Sequence, residues 1–246
     1  MVDLAIACVG LVAGLLIGLT SIGGVLVLPA LVLLLGLSPH EAIPATMVAF
    51  IAPAVVGFLA VLRQGRLDLR AAGTLWAGAI PGALAGAALL PFVPVVALLW
   101  AIAAMLAISA ARVFHRPPVA ADTGVRPAPT LLALSGLAVG AVSALTGTGG
   151  PVTLMPILAW RGVHPGRAVP LCQAIALPIA IFASVGYAVG FDPDWRLVGV
   201  LSGSTATGVA LGVLAASRIA AGALARLIGA MMAISAALIA GRLLSG

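Results

Sequence analysis

The chain of 246 residues contains no lysine, only six acidic residues and only 12 arginines, so that charged residues make up 7% of it. A water-soluble domain devotes about a quarter of its residues to charge. This scarcity excludes a surface facing water on all sides. Cysteine is nearly absent too. Cys8 and Cys172 both lie in apolar runs and read as small buried hydrophobes, which excludes a disulfide framework. Three histidines among so few acids form no metal-ligand, Ser-His-Asp, Cys-His or phosphate-loop constellation. An enzyme is therefore not expected, nor a metal or other cofactor. Nucleic acid is excluded as a partner despite the net charge of +6, because the arginines are scattered without a basic stripe or aromatic platform.

What is abundant is apolar sequence, 63% of the chain, in recurring runs of about 20 residues. That is the length of a membrane-crossing helix. The short alternating segments of a membrane β-barrel are missing. The reading is an all-α polytopic membrane protein with the lipid bilayer as its surroundings. The start, apolar from Val2 with no basic region or small-residue cleavage site, reads as a retained first helix. Breakers divide the chain into about ten helices, over 2–20, 24–37, 41–62, 69–90, 93–113, 130–146, 151–163, 166–189, 196–216 and 219–244. The second and seventh are near 13 residues, roughly 20 Å, too short for an ordinary crossing. They are full spans or arms of re-entrant hairpins, and charge does not decide which.

The chain repeats itself. Shifted by 126 residues, Gly14 falls on Gly140, Thr20 on Thr146, Gly23 on Gly149 and Gly24 on Gly150. The register continues with Pro39 on Pro165, Pro44 on Pro170, Asp68 on Asp194 and Gly82 on Gly208. Two repeats are expected, 1–113 and 130–246, joined by a proline-rich polar linker over 114–129. Arg63, Arg66, Arg70, Arg161 and Arg167, with the arginines of the linker, fall on one face when crossings are counted. By the positive-inside rule that face is cytoplasmic and both termini lie outside, in a bacterial inner membrane. Each half crosses an odd number of times, so the halves are inverted.

Two matching stretches then demand explanation: "IGLTSIGGVLVLP" from Ile17 and "SALTGTGGPVTLMP" from Ser143. Inverted halves with paired interruptions describe many secondary transporters, whose substrate sits at the interruptions near the midplane. Gly23, Gly24, Gly147, Gly149 and Gly150 permit unusual backbone angles and close approach of a ligand. Short helices follow, and helix starts present free N–H groups and partial positive charge. Thr20, Ser21, Thr146 and Thr148 add hydroxyl donors. The spans hold almost no ionised side chain, whereas a cation carrier shows intramembrane carboxylates. These nine residues, with the lone amide Gln173 as a tenth, form the expected substrate-binding set for a small anion. The runs Gly10-Gly14-Gly18 and Gly78-Gly82-Gly86 have the spacing of tight helix crossings and read as packing.

These same residues carry a resemblance. "GLTSIGGVLVLPALVLLLGLSPHEAIPAT" and "SALTGTGGPVTLMPILAWRGVHPGRAVPLCQA" resemble the TauE/SafE sulfite exporter family of bacterial membrane permeases, as two related halves covering nearly the whole chain. The resemblance implies transport, often outward, of a sulfur-containing anion such as sulfite or an organosulfonate. Where Thr148 stands in the second half, Ile22 stands in the first, a less polar position. An anion channel, or a permease for another small carboxylate or oxyanion, is the alternative. The sequence leaves the anion, direction, coupling and oligomeric state open.

Overall fold

The computed structural model describes residues 2–21, 23–114, 127–161 and 163–216, together with 230, 233–234, 236–237, 239–241 and 244. Ile22, most of the linker and most of the helix expected over 219–244 lie outside the described residues. Every regular element described is helical: α1 (Val2–Thr20), α2 (Val27–Leu34), α3 (Pro39–Ala49), α4 (Ile51–Arg63), α5 (Leu69–Leu89), α6 (Val95–Phe114), α7 (Pro129–Thr146), α8 (Pro151–Trp160), α9 (Pro165–Tyr187) and α10 (Trp195–Ala215). Short 3-10 turns, Gly23–Leu26 and Leu90–Phe92, precede α2 and follow α5.

Helix starts follow the local chemistry. Asp68 and Asp194 cap α5 and α10 in the same way, each side chain accepting from two backbone amides that begin with Arg70 and Arg196. Ser38 and Glu41 form a capping box ahead of Pro39, and His164 accepts from the Gly166 amide ahead of Pro165. Among the described residues five helices are long and apolar enough to cross a bilayer, within α1, α5, α7, α9 and α10, and α3 with α4 can make a sixth. Leu4, Leu134, Val185 and Leu214 stand exposed on their outer faces, as a lipid-facing surface requires. The chain is thus an all-α polytopic membrane protein.

One expected helix is broken. The run 41–62 bends by 40° between α3 and α4, at Phe50. Pro53 explains it: with no N–H it offers the Ala49 carbonyl no helical partner, and its ring crowds that carbonyl. Prolines elsewhere are absorbed. Pro178 withholds an amide from the Ala174 carbonyl, and the indole N–H of Trp76 on α5 donates to it instead, at 2.9 Å.

Packing rests on two glycine-lined pairs, α1 on α10 and α5 on α7. A Cβ on Gly14 would stand 2.2 Å from the Thr205 carbonyl oxygen, and one on Gly82 2.2 Å from that of Leu137. Such backbone contact is what small-residue spacing provides, in place of a hydrophobic drive that lipid does not supply. Between the pairs runs α9, in contact with α3, α4, α5 and α8. Cys172 on α9 is buried as expected, but Cys8 faces outward from α1, because the inward side of that helix is taken by its glycines. At one end of the bundle Arg196 pairs with Asp3 on the surface. At the other, the loops bearing Arg66, Arg70 and Arg167 converge.

Candidate functional site

Both glycine-rich stretches interrupt helices, and both begin alike. α1 closes with the Ser21 amide donating to the Ile17 carbonyl at 2.8 Å, and Ser21 then turns left-handed at φ +66°. α7 closes at Thr146, and Gly147 turns left-handed at +65°. After that they diverge. The first break continues through the 3-10 turn, and the second through Gly149 and Gly150, at φ +76° and +103°. The Gly150 carbonyl accepts the first amides of α8, from Thr153 and Leu154, while Pro151 fills the first turn.

The two breaks meet around a narrow cavity of about 30 Å³, room for about one water molecule. Ser21 and Gly24 come from the first break, Thr148 and Gly149 from the second, and Gln173 from α9. Five of the ten expected residues therefore share one space. The other five stand around it. Thr20 donates to the Leu16 carbonyl, and Gly23 lets the 3-10 turn lie against α1, where a Cβ would be 2.5 Å from the Ala13 carbonyl. Gly147 backs onto Leu28 and Ile43, and Gly150 onto Ile175 and Ile179. Thr146 donates to the Val142 carbonyl at 2.7 Å and turns toward a separate cavity of about 280 Å³ between α6, α7 and α8. There the hydroxyls of Thr146, Thr148 and Thr153 lie 3.7–4.0 Å from the Met105 sulfur.

No ionised side chain lines the narrow cavity. Its polar groups are neutral donors and backbone, which suits an anion and offers a cation little. Gln173 gives one amide hydrogen to the Ile17 carbonyl at 3.0 Å, tying α9 to the end of α1, and has a second to offer. Gly57 on α4 makes the space for that side chain, since a Cβ there would stand 2.5 Å from the amide oxygen. Thr148 and Thr146 hydroxyls lie 3.1 Å apart. Thr146 gives its hydrogen to the Val142 carbonyl, so Thr148 is the donor between the two. Ser21 stands apart. It is 2% exposed and its hydroxyl has no hydrogen-bond partner. The Ser143 hydroxyl on α7 shares that condition but does not line the cavity. Ser21 is also, among the described residues, the one non-glycine with a left-handed backbone. A strained, buried, unpartnered hydroxyl costs stability twice over.

Sequence reasoning missed Phe50. Its ring wedges between the two breaks: a Cβ on Gly24 would stand 3.2 Å from it, and one on Gly149 3.3 Å. Pro53 was the available signal, because it places a bend where the ring leaves the helix line.

A bundle of crossing helices, interrupted twice around a narrow, mostly apolar cavity with a few neutral polar groups, is the build of a solute transporter of the membrane. The family model for the sulfite exporter TauE/SafE matches residues 6–239, and the chain belongs to that family. The family is one of membrane transporters rather than enzymes. Comparison with curated proteins and with solved structures gave no match.

Proposed function

We propose that the chain carries a small sulfur-containing oxyanion, sulfite or an organosulfonate, across the bacterial inner membrane, with the two interrupted stretches as its binding site. The supporting observation is the unpartnered, strained Ser21 hydroxyl beside Gln173 and Thr148. Together with the amides of the two breaks these groups replace the hydration shell of an anion without a fixed cation, and a carrier must also release its load. Hydrogen bonds to a charged group contribute about 1.5–3 kcal/mol each, enough for binding yet short of a trap.

In this reading 1–113 and 130–246 are inverted halves, with 114–129 as a cytoplasmic linker and both termini outside. The reciprocal pairs α1 on α10 and α5 on α7 support it, because the repeat register relates one pair to the other. Sulfite exceeds the present cavity, so Phe50 must leave before it binds. The bend at Phe50 is where the backbone can yield, since the helical bond from residue 53 is missing there. Rocking of the halves then exposes the site alternately. The inside-negative potential favours outward movement of an anion by about 2.3 kcal/mol per charge at about 100 mV.

Sulfite flux in proteoliposomes tests the proposal. It saturates and shows counterflow for a carrier. Flux linear in concentration, without counterflow, contradicts alternating access and points to a channel.

A further inference from the structure

A large cavity, of about 710 Å³, lies away from the central site, at the arginine-bearing end. We infer that it is a second, outer oxyanion site that collects the transported anion at the membrane surface. The inference rests on the transporter reading above.

Three segments distant in sequence build the cavity. Arg66 and Arg70 come from the turn into α5, Pro127 and Pro129 from the start of α7, and Arg167 from the first turn of α9. The positive-inside rule asks only that arginines lie on this face. It does not ask that they surround one concavity of ligand-binding size. Among the described residues the one acid lining it is Asp68, whose carboxylate oxygen accepts from the Arg70 and Ala71 amides at 3.1 and 3.0 Å. Among the described residues the lining thus carries three arginines against one carboxylate, a surplus of positive charge. The beginnings of α5, α7 and α9 add the positive ends of their dipoles.

Arg66 and Arg70 are exposed, so the site is wet and holds an anion loosely. Its effect is to raise the local anion concentration and the rate of encounter, an effect of about tenfold or more that salt suppresses. The central site, by contrast, has no charge with which to attract substrate. A division of labour follows: charge gathers at the surface, and neutral donors bind within. The phosphate of a lipid headgroup offers the same chemistry and is the competing occupant.

The test uses the full chain in oriented vesicles of zwitterionic lipid, with initial sulfite rates taken from the arginine-bearing side. The double variant Arg66→Gln, Arg70→Gln is expected to raise KM about tenfold at low salt, with kcat little changed. In about 0.5 M salt the difference closes. Arg66→Lys with Arg70→Lys keeps the charge and the low-salt KM. An unchanged KM, or a change indifferent to salt, overturns the inference. A difference that arises only when anionic lipid is added assigns the cavity to headgroups and overturns it equally. Titration of sulfite onto the detergent-solubilised chain separates the two claims. Absence of flux in the wild type refutes the transporter reading, while a salt-sensitive binding step lost in the double glutamine variant upholds the outer site.

Discussion

Ser21 and Gly147 hold the same left-handed backbone, φ +66° and +65°, at positions 126 residues apart. Each is the first residue beyond a helix that ends in threonine. In the second half glycine adopts this conformation freely. In the first half serine does so at a cost of about 1–2 kcal/mol. What the chain gains by it is a hydroxyl in the cavity, and that trade can be measured.

Ser21→Gly is expected to leave thermal stability unchanged or raised, by up to about 1–2 kcal/mol, because the strain goes. Transport should fall about tenfold or more with the lost hydrogen bond to a charged solute. Thermal unfolding in detergent, beside proteoliposome flux, checks both signs. Loss of stability together with activity would assign Ser21 a merely structural part.

Phe50→Ala removes the ring wedged between Gly24 and Gly149. Stability is expected to fall by about 3 kcal/mol, as for other buried aromatic truncations. Sulfite leak in proteoliposomes should rise, since the enlarged cavity no longer closes between the breaks. A leak equal to that of the wild type would remove Phe50 from the closing mechanism.

Gly14→Val and Gly82→Val should each prevent the bundle from assembling, because the added carbons meet the carbonyls of Thr205 and Leu137. Gly73→Ala and Gly203→Ala, where nothing lies within 4 Å, should be neutral or gain up to about 1 kcal/mol. Yield of monodisperse protein and its melting temperature distinguish the two groups.

Trp76→Phe retains a ring beside Phe58 but leaves the Ala174 carbonyl bare, at an expected cost of about 1–2 kcal/mol. Pro178→Ala supplies the missing amide from within α9. In that background the cost of Trp76→Phe should shrink to the difference in ring packing. A double-mutant cycle reads the coupling directly, and additive effects would contradict the role given to the indole.

The membrane class, the run lengths and the two interruptions were legible in the sequence, because apolar length and clustered glycine are local signals. So was the glycine spacing of the paired helices. The bend at Phe50 was not. Pro81 and Pro178 leave α5 and α9 continuous, so a proline alone does not say whether a helix will break. The facing of side chains at a break was equally hidden. Thr146 and Thr148 look alike in the sequence, and both hydroxyls lie near the Met105 sulfur, yet only Thr148 also lines the narrow cavity. The gathering of Arg66, Arg70 and Arg167 around one space depends on contacts between distant segments, which charge counting along the chain does not register.

The most direct measurement is equilibrium titration of labelled sulfite onto the purified full chain, alongside Ser21→Ala and Gln173→Leu at high salt, where only the inner site holds its affinity. Saturable binding to the wild type, weakened about tenfold or more in each variant, is the result the two-break site predicts. Equal binding by all three, or none by the wild type, would contradict it.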